Sequence, residues 1–172
     1  MNTQSLSSAA LPEEENFGMI EPVRKHVNRS WKKSAGMFSG QKSLGGILVV
    51  DDDPEVRKLI RLTLEKVGYD ILEAEDGQPA INVLSSGKSS VMIDAIITDL
   101  NIPKVDGFAV IAYCKMEYPK IPLIVLTRIA DVQLATSLMG EGVSDYLVKP
   151  VEAKKLIASI ENALAQRQLS WA

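Results

Sequence analysis

The chain has 172 residues, 46% of them hydrophobic and 24% charged, with a formal net charge of −3, which is room for one ordinary domain with an appendage and enough apolar side chain for a core. Cys114 is the only cysteine, so an internal disulfide is excluded and a reducing compartment fits. No apolar run approaches the roughly 20 residues that cross a bilayer, and an amino terminus containing Glu13, Glu14 and Glu15 has no signal core, so a cytoplasmic location is expected.

Residues 1–46 are rich in Ser, Gly, Asn, Glu and Lys and show no strand pattern. They carry six basic residues (Arg24, Lys25, Arg29, Lys32, Lys33 and Lys42) against four glutamates, a balance of +2, and the remainder therefore carries −5. Nothing in that remainder suggests a nucleic-acid-binding surface. The segment reads as a flexible N-terminal extension. Within it, 21–33 can form a short basic amphipathic helix, with Ile20, Val23, Val27 and Trp31 on one face and Arg24, Lys25, Arg29, Lys32 and Lys33 on the other. At about a dozen residues such a helix is marginal alone and needs a partner or a membrane surface.

From Ile47 the texture changes, and short apolar runs alternate with helical patterns through 47–169. Ile47 to Val50 is a β-branched run that ends in Asp51, Asp52 and Asp53. Pro54 suits the first position of a helix, where it has no N–H to lose, and Asp53 caps it. Val56, Leu59, Ile60, Thr63, Leu64 and Val67 then recur at helical spacing until Gly68. Tyr69 to Glu73 reads as a strand, and Gly77 to Ser86 as a helix with Ala80, Ile81 and Leu84 inward. Ile93 to Thr98 is an apolar strand ending at Asp99, followed by a helix from Phe108 to Tyr118. Ile121 to Leu126 is a strand ending at Thr127, followed by a helix from Asp131 to Glu141 that Gly142 terminates. Tyr146 to Val148 is a strand ending at Lys149, and Glu152 to Leu169 is the closing helix. Five apolar strands, each followed by a helix, predict an α/β fold: a parallel sheet covered on both faces.

Ligands of such sheets bind beyond the carboxyl ends of the strands, where the strand order reverses. Four of the five ends carry reactive side chains: Asp51 and Asp52, Asp99, Thr127, and Lys149. The second strand ends in Glu73, Ala74 and Glu75, which are left out of the site. With the order 2-1-3-4-5, the carboxylates of the first and third strands converge and repel one another unless a cation lies between them. Mg²⁺, a hard cation that keeps several waters and takes one or two carboxylates, is the natural occupant. Asp99 is then a carboxylate nucleophile for phosphoryl transfer. Lys149 supplies a second positive charge, and Thr127 a hydroxyl donor to a phosphoryl oxygen.

Four segments occur in order: Ile47 to Asp53 (ILVVDDD), Asp99 to Gly107 (DLNIPKVDG), Ile124 to Thr127 (IVLT) and Gly142 to Pro150 (GVSDYLVKP). Over nearly all of 47–169 the chain resembles the receiver domains of two-component response regulators. The resemblance implies a flavodoxin-like doubly wound sheet of five strands, order 2-1-3-4-5, with five helices. It implies Mg²⁺ held by Asp51, by Asp52 more directly, by Asp99 and by the backbone carbonyl of Asn101. It also implies phosphorylation of Asp99 by a histidine kinase or phosphotransfer protein, a phosphoryl-contacting Lys149 on a cis Lys149–Pro150 bond, and a switch pair of Thr127 and Tyr146. Tyr146 also reads as a partly buried core tyrosine. Arg128 departs from the family, where the residue after the threonine is usually small. A long cation at the mouth of the site is expected to gate it, shielding an acyl phosphate from water.

Two other functions compete. A phosphatase of the haloacid-dehalogenase type also places Asp-x-Asp after a first parallel strand, and Asp51 and Asp53 fit that spacing. Pro54, however, stands where that family continues with Thr or Val, and the chain is short for the usual cap. A degenerate receiver serving only as a binding module is the second, although none of the site residues is missing. The expectation is therefore a phosphoacceptor rather than an enzyme, acting by protein contact through its fourth helix, fifth strand and fifth helix. The chain stops at Ala172, soon after the closing helix, so it is expected to be a single-domain regulator or a fragment.

Overall fold

The computed structural model describes residues 43–85 and 93–169. The proposed amphipathic helix at 21–33 and the end of the second helix at Ser86 lie outside them. Among the described residues ten elements alternate: β1 (Gly46–Val50), α1 (Pro54–Glu65), β2 (Asp70–Ala74), α2 (Gly77–Ser85), β3 (Ala95–Thr98), α3 (Gly107–Glu117), β4 (Leu123–Thr127), α4 (Val132–Gly140), β5 (Asp145–Val148) and α5 (Ala153–Leu169). The strands form one parallel sheet of order β2-β1-β3-β4-β5, the doubly wound flavodoxin-like arrangement expected.

Alternation along each strand divides the core. Leu48, Val50, Ile96, Leu123 and Val125 face one side and pack with α2 and α3 through Ala80, Leu84, Val110 and Cys114. Ile47, Val49, Ile97, Ile124 and Leu126 face the other and pack with α1 and α5 through Ile60, Leu64, Leu156 and Ile160. Burial on both faces is why these strands read as continuous apolar runs.

Local chemistry sets most boundaries. Asp53 caps α1, accepting from the N–H groups of Glu55 at 2.9 Å and Val56 at 3.4 Å, with Pro54 at the first turn. Asp106 and Asp131 cap α3 and α4 in the same way. Gly142, with φ of +89°, ends the turn after α4. β4 begins two residues later than expected: Pro122 has no N–H for the ladder, and pairing with β3 starts at Leu123. Thr127 is the last residue of β4 rather than the first beyond it. One residue at helical spacing lies off the buried stripe, and one inward assignment is corrected. Leu59 is 64% exposed, because the stripe of α1 that meets the sheet runs through Ile60 and Leu64. On α2 it is Val83, not Ile81, that is buried beside Ala80 and Leu84. Among the described residues no helix is long and apolar enough to cross a membrane.

Candidate functional site

The order β2-β1-β3-β4-β5 makes β1 and β3 neighbours, with Val50 opposite Thr98. The residues that follow each strand end are therefore side by side. Asp99 N–H donates to Val50 O at 2.9 Å, and Asp51 N–H to Ala74 O at 3.1 Å, so both aspartates begin from a fixed backbone. Asp51 and Asp99 are buried while Asp52 is exposed, and one carboxylate oxygen from each of the three lies within 4.8 Å of the others. Thr127 is buried at the end of β4.

Lys149 reaches into this cluster from the end of β5. Its Nζ lies 2.6 Å from Asp51 Oδ2 and 2.5 Å from Asp99 Oδ2, with the side chain 9% exposed. The Lys149–Pro150 bond is cis, as the resemblance implied. The two buried carboxylates differ in character. Burial pushes the Asp51 carboxyl up, and the bond and charge of Lys149 recover only part of that, so its pKa ends above the usual range. Burial also pushes Asp99 up. Bonds from Lys149 and from the Asn101 N–H, then the Lys149 charge and the Thr127 hydroxyl, outweigh it, and Asp99 ends below the usual range. Asp99 is thus held as the carboxylate, the form that can act as a nucleophile.

The other expected residues follow the ends of β3, β4 and β5 or lie on them. Asn101 is exposed and donates its N–H to Asp99 Oδ1 at 3.1 Å. Tyr146 is partly buried, and its hydroxyl donates to Ile129 O in the β4–α4 loop at 2.8 Å. Burial, then the charges of Asp131 and Asp99, push that hydroxyl's pKa up. Arg128 follows Thr127 directly and is exposed.

Three contributors were not foreseen. Glu73, set aside with the end of the second strand, takes Arg61 Nε at 2.7 Å and Arg57 Nε at 3.4 Å. Arg57 also donates Nη1 to the carbonyls of Asp51 at 2.6 Å and Asp52 at 3.1 Å. An acid on a strand and bases at one-turn spacing on the preceding helix were a usable signal. The third is Gly107, where an added Cβ would lie 2.1 Å from Asp99 O. On the far side of the Asp99 loop, Lys104 Nζ meets buried Asp76 at 2.6 Å and ties that loop to the start of α2.

A sequence profile of the response regulator receiver domain matches residues 47–161. The chain belongs to the response regulator receiver family. Its receiver is 32% identical to a crystal structure of a response regulator receiver domain protein from Clostridium thermocellum, with a TM-score of 0.68, covering 73% of this chain and 98% of that one. It is 26% identical to the chemotaxis protein CheY4 of Vibrio cholerae, with a TM-score of 0.63, covering 70% of this chain and 99% of that one. Among curated proteins it is 35% identical over 120 residues to the transcriptional regulatory protein GlrR of Escherichia coli. That match takes in 70% of this chain but only 26% of GlrR, so the receiver corresponds to about a quarter of that relative's length.

Proposed function

We propose that Asp99 accepts a phosphoryl group from the phosphohistidine of a histidine kinase or phosphotransfer protein, and that the receiver passes the signal on by protein contact. A carboxylate oxygen of Asp99 attacks phosphorus, the P–N bond of the phosphohistidine breaks, and the imidazole nitrogen keeps the electron pair and is protonated. The observation that carries this reading is the bridge from Lys149 Nζ to Asp51 and Asp99, with Asp52 beside them. That is a nucleophilic carboxylate with a fixed cation and two further acids beyond the strand ends.

The donor set is all oxygen and strongly anionic, which fits Mg²⁺. Asp51, Asp52, Asp99 and the carbonyl of Asn101 would hold it, and when bound it offsets negative charge on the phosphoryl oxygens. Lys149 keeps Asp99 ionised before transfer and is within reach of a phosphoryl oxygen afterwards. Thr127 offers its hydroxyl to another. Tyr146, bonded to the β4–α4 loop that follows Thr127, is placed to report a shift of that hydroxyl. Arg128 covers the mouth and slows hydrolysis. The receiver is a stoichiometric acceptor in this reading rather than an enzyme with turnover. It works in the cytoplasm and makes no direct contact with nucleic acid. The face built from α4, β5 and α5 is the signalling surface.

The experiment is incubation with acetyl phosphate and Mg²⁺, followed by intact-mass spectrometry. One base-labile phosphoryl group is expected in the wild type, much less in Asp52→Ala and none in Asp99→Ala. A phosphoryl adduct that persists in Asp99→Ala overturns the assignment.

A further inference from the structure

Beyond its last paired residue, Val50, the β1–α1 loop leaves the sheet, and the direction of its carboxylates is set by main-chain bonds outside the ladder. Asp51 keeps one such bond, from its N–H to Ala74 O on β2. Asp52 is exposed. One guanidinium nitrogen, Arg57 Nη1, donates to the carbonyls of both residues, at 2.6 and 3.1 Å. Two successive carbonyls turned to one donor fix two successive peptide planes, and with them the Cα–Cβ directions of Asp51 and Asp52. A planar guanidinium does this at little entropic cost once its own orientation is set.

Glu73 sets that orientation. It faces Arg57 Nε at 3.4 Å from β2, both side chains are 14% exposed, and its second oxygen takes Arg61 at 2.7 Å. Glu73 itself stands opposite Val49 in the sheet, so the chain of contacts runs from a rigid strand through Glu73 and Arg57 to the loop. The pairing also largely cancels the positive charge of Arg57, which would otherwise oppose a metal cation nearby. Geometry, not field, is what Arg57 delivers.

We propose that Arg57, oriented by Glu73, is a positioning residue that presets the carboxylates of Asp51 and Asp52 for a divalent cation. The proposal rests on the reading of the site as a Mg²⁺ and phosphoacceptor centre. Its test uses the full chain, without a phosphoryl donor, in two measurements. The first is Mg²⁺ affinity by calorimetry for the wild type, Arg57→Lys, and the double variant Arg57→Met/Glu73→Gln. Both changes conserve net charge. Loss of a residue that orients a metal ligand weakens binding by about tenfold or more, and that is expected of the double variant, with a smaller loss in Arg57→Lys. Because the effect is geometric, it persists at high salt, where a field effect fades.

The second measurement is amide hydrogen exchange in the metal-free protein. The Asp53 N–H, bonded to Asp51 Oδ1 at 3.1 Å, is expected to exchange faster in both variants, while the β1 amides keep their protection. Unchanged Mg²⁺ affinity in a wild type that binds, or unchanged Asp53 exchange, overturns the role of Arg57 alone. A wild type that binds no Mg²⁺ overturns the metal reading instead, and the Asp53 exchange still decides whether Arg57 orders the loop. If the double variant does not fold, Arg57→Lys carries both measurements.

Discussion

Two glycines in this receiver have opposite reasons to be there, and replacing each with alanine separates them. At Gly107 an added Cβ would lie 2.1 Å from Asp99 O, 2.6 Å from Leu100 Cα and 2.9 Å from Asp99 C. All three are backbone atoms of the loop that presents Asp99, so no rotamer change relieves the overlap. Either α3 or the Asp99 loop must move. Overpacking of this kind costs about 1–3 kcal/mol and occasionally more, and a backbone obstacle belongs at the upper end. Alanine recovers roughly 0.4–1 kcal/mol through the unfolded chain, which leaves a net loss of about 2–3 kcal/mol. At Gly140, inside the last turn of α4, nothing lies within 4 Å of the added Cβ. There the same change removes helix-disfavouring freedom and gains about 0.5 kcal/mol. Urea unfolding of the metal-free protein measures both. Acetyl phosphate labelling should fall with Gly107→Ala and stay unchanged with Gly140→Ala. A Gly107→Ala variant as stable as the wild type would refute the argument that the Asp99 backbone occupies that space.

Two further outcomes are expected. Cys114 is 1% exposed in the core and its thiol is pushed up to about 12 by burial. Native protein should therefore resist a thiol-specific reagent at pH 8 and react fully in denaturant, and rapid native labelling would contradict the packing of α3. Arg128→Ala should speed loss of the phosphoryl group from Asp99 severalfold, as followed by mass spectrometry after donor removal, because water then reaches the acyl phosphate. Equal rates would make Arg128 a solvated surface residue.

The centre of the sheet was legible because β1, β3 and β4 are buried along their whole length and read as apolar runs, and each leads to a residue of distinctive chemistry. Asp53 with Pro54 announced the start of α1 for reasons local to those residues. Other features depend on facts that a linear reading does not contain. Leu59 matched the helical spacing as well as Ile60 did, and only the angle at which α1 meets the sheet decides which one is covered. Glu73 looked like an ordinary strand end, and although Arg57 and Arg61 at one-turn spacing hinted at a partner, only the packing of α1 on β2 shows that both meet it. Gly107 was visible as the close of a motif, yet the reason for it is the Asp99 carbonyl that passes 2.1 Å from its missing Cβ. The cis Lys149–Pro150 bond came from family resemblance and from no property of the residues themselves.

The lysine that bridges the acidic pair lies 98 residues from Asp51 and 50 from Asp99 along the chain, at the end of the edge strand β5. Two neighbouring strands, β1 and β3, are enough to bring the acids together, but the cation comes from a strand that is paired on one side only. Edges of sheets open locally at less cost than centres. Detaching β5 from β4 would therefore disarm the site while leaving most of the domain folded. If Asp99 is the phosphoacceptor proposed above, its labelling should then follow the docking of this edge more closely than the integrity of the core.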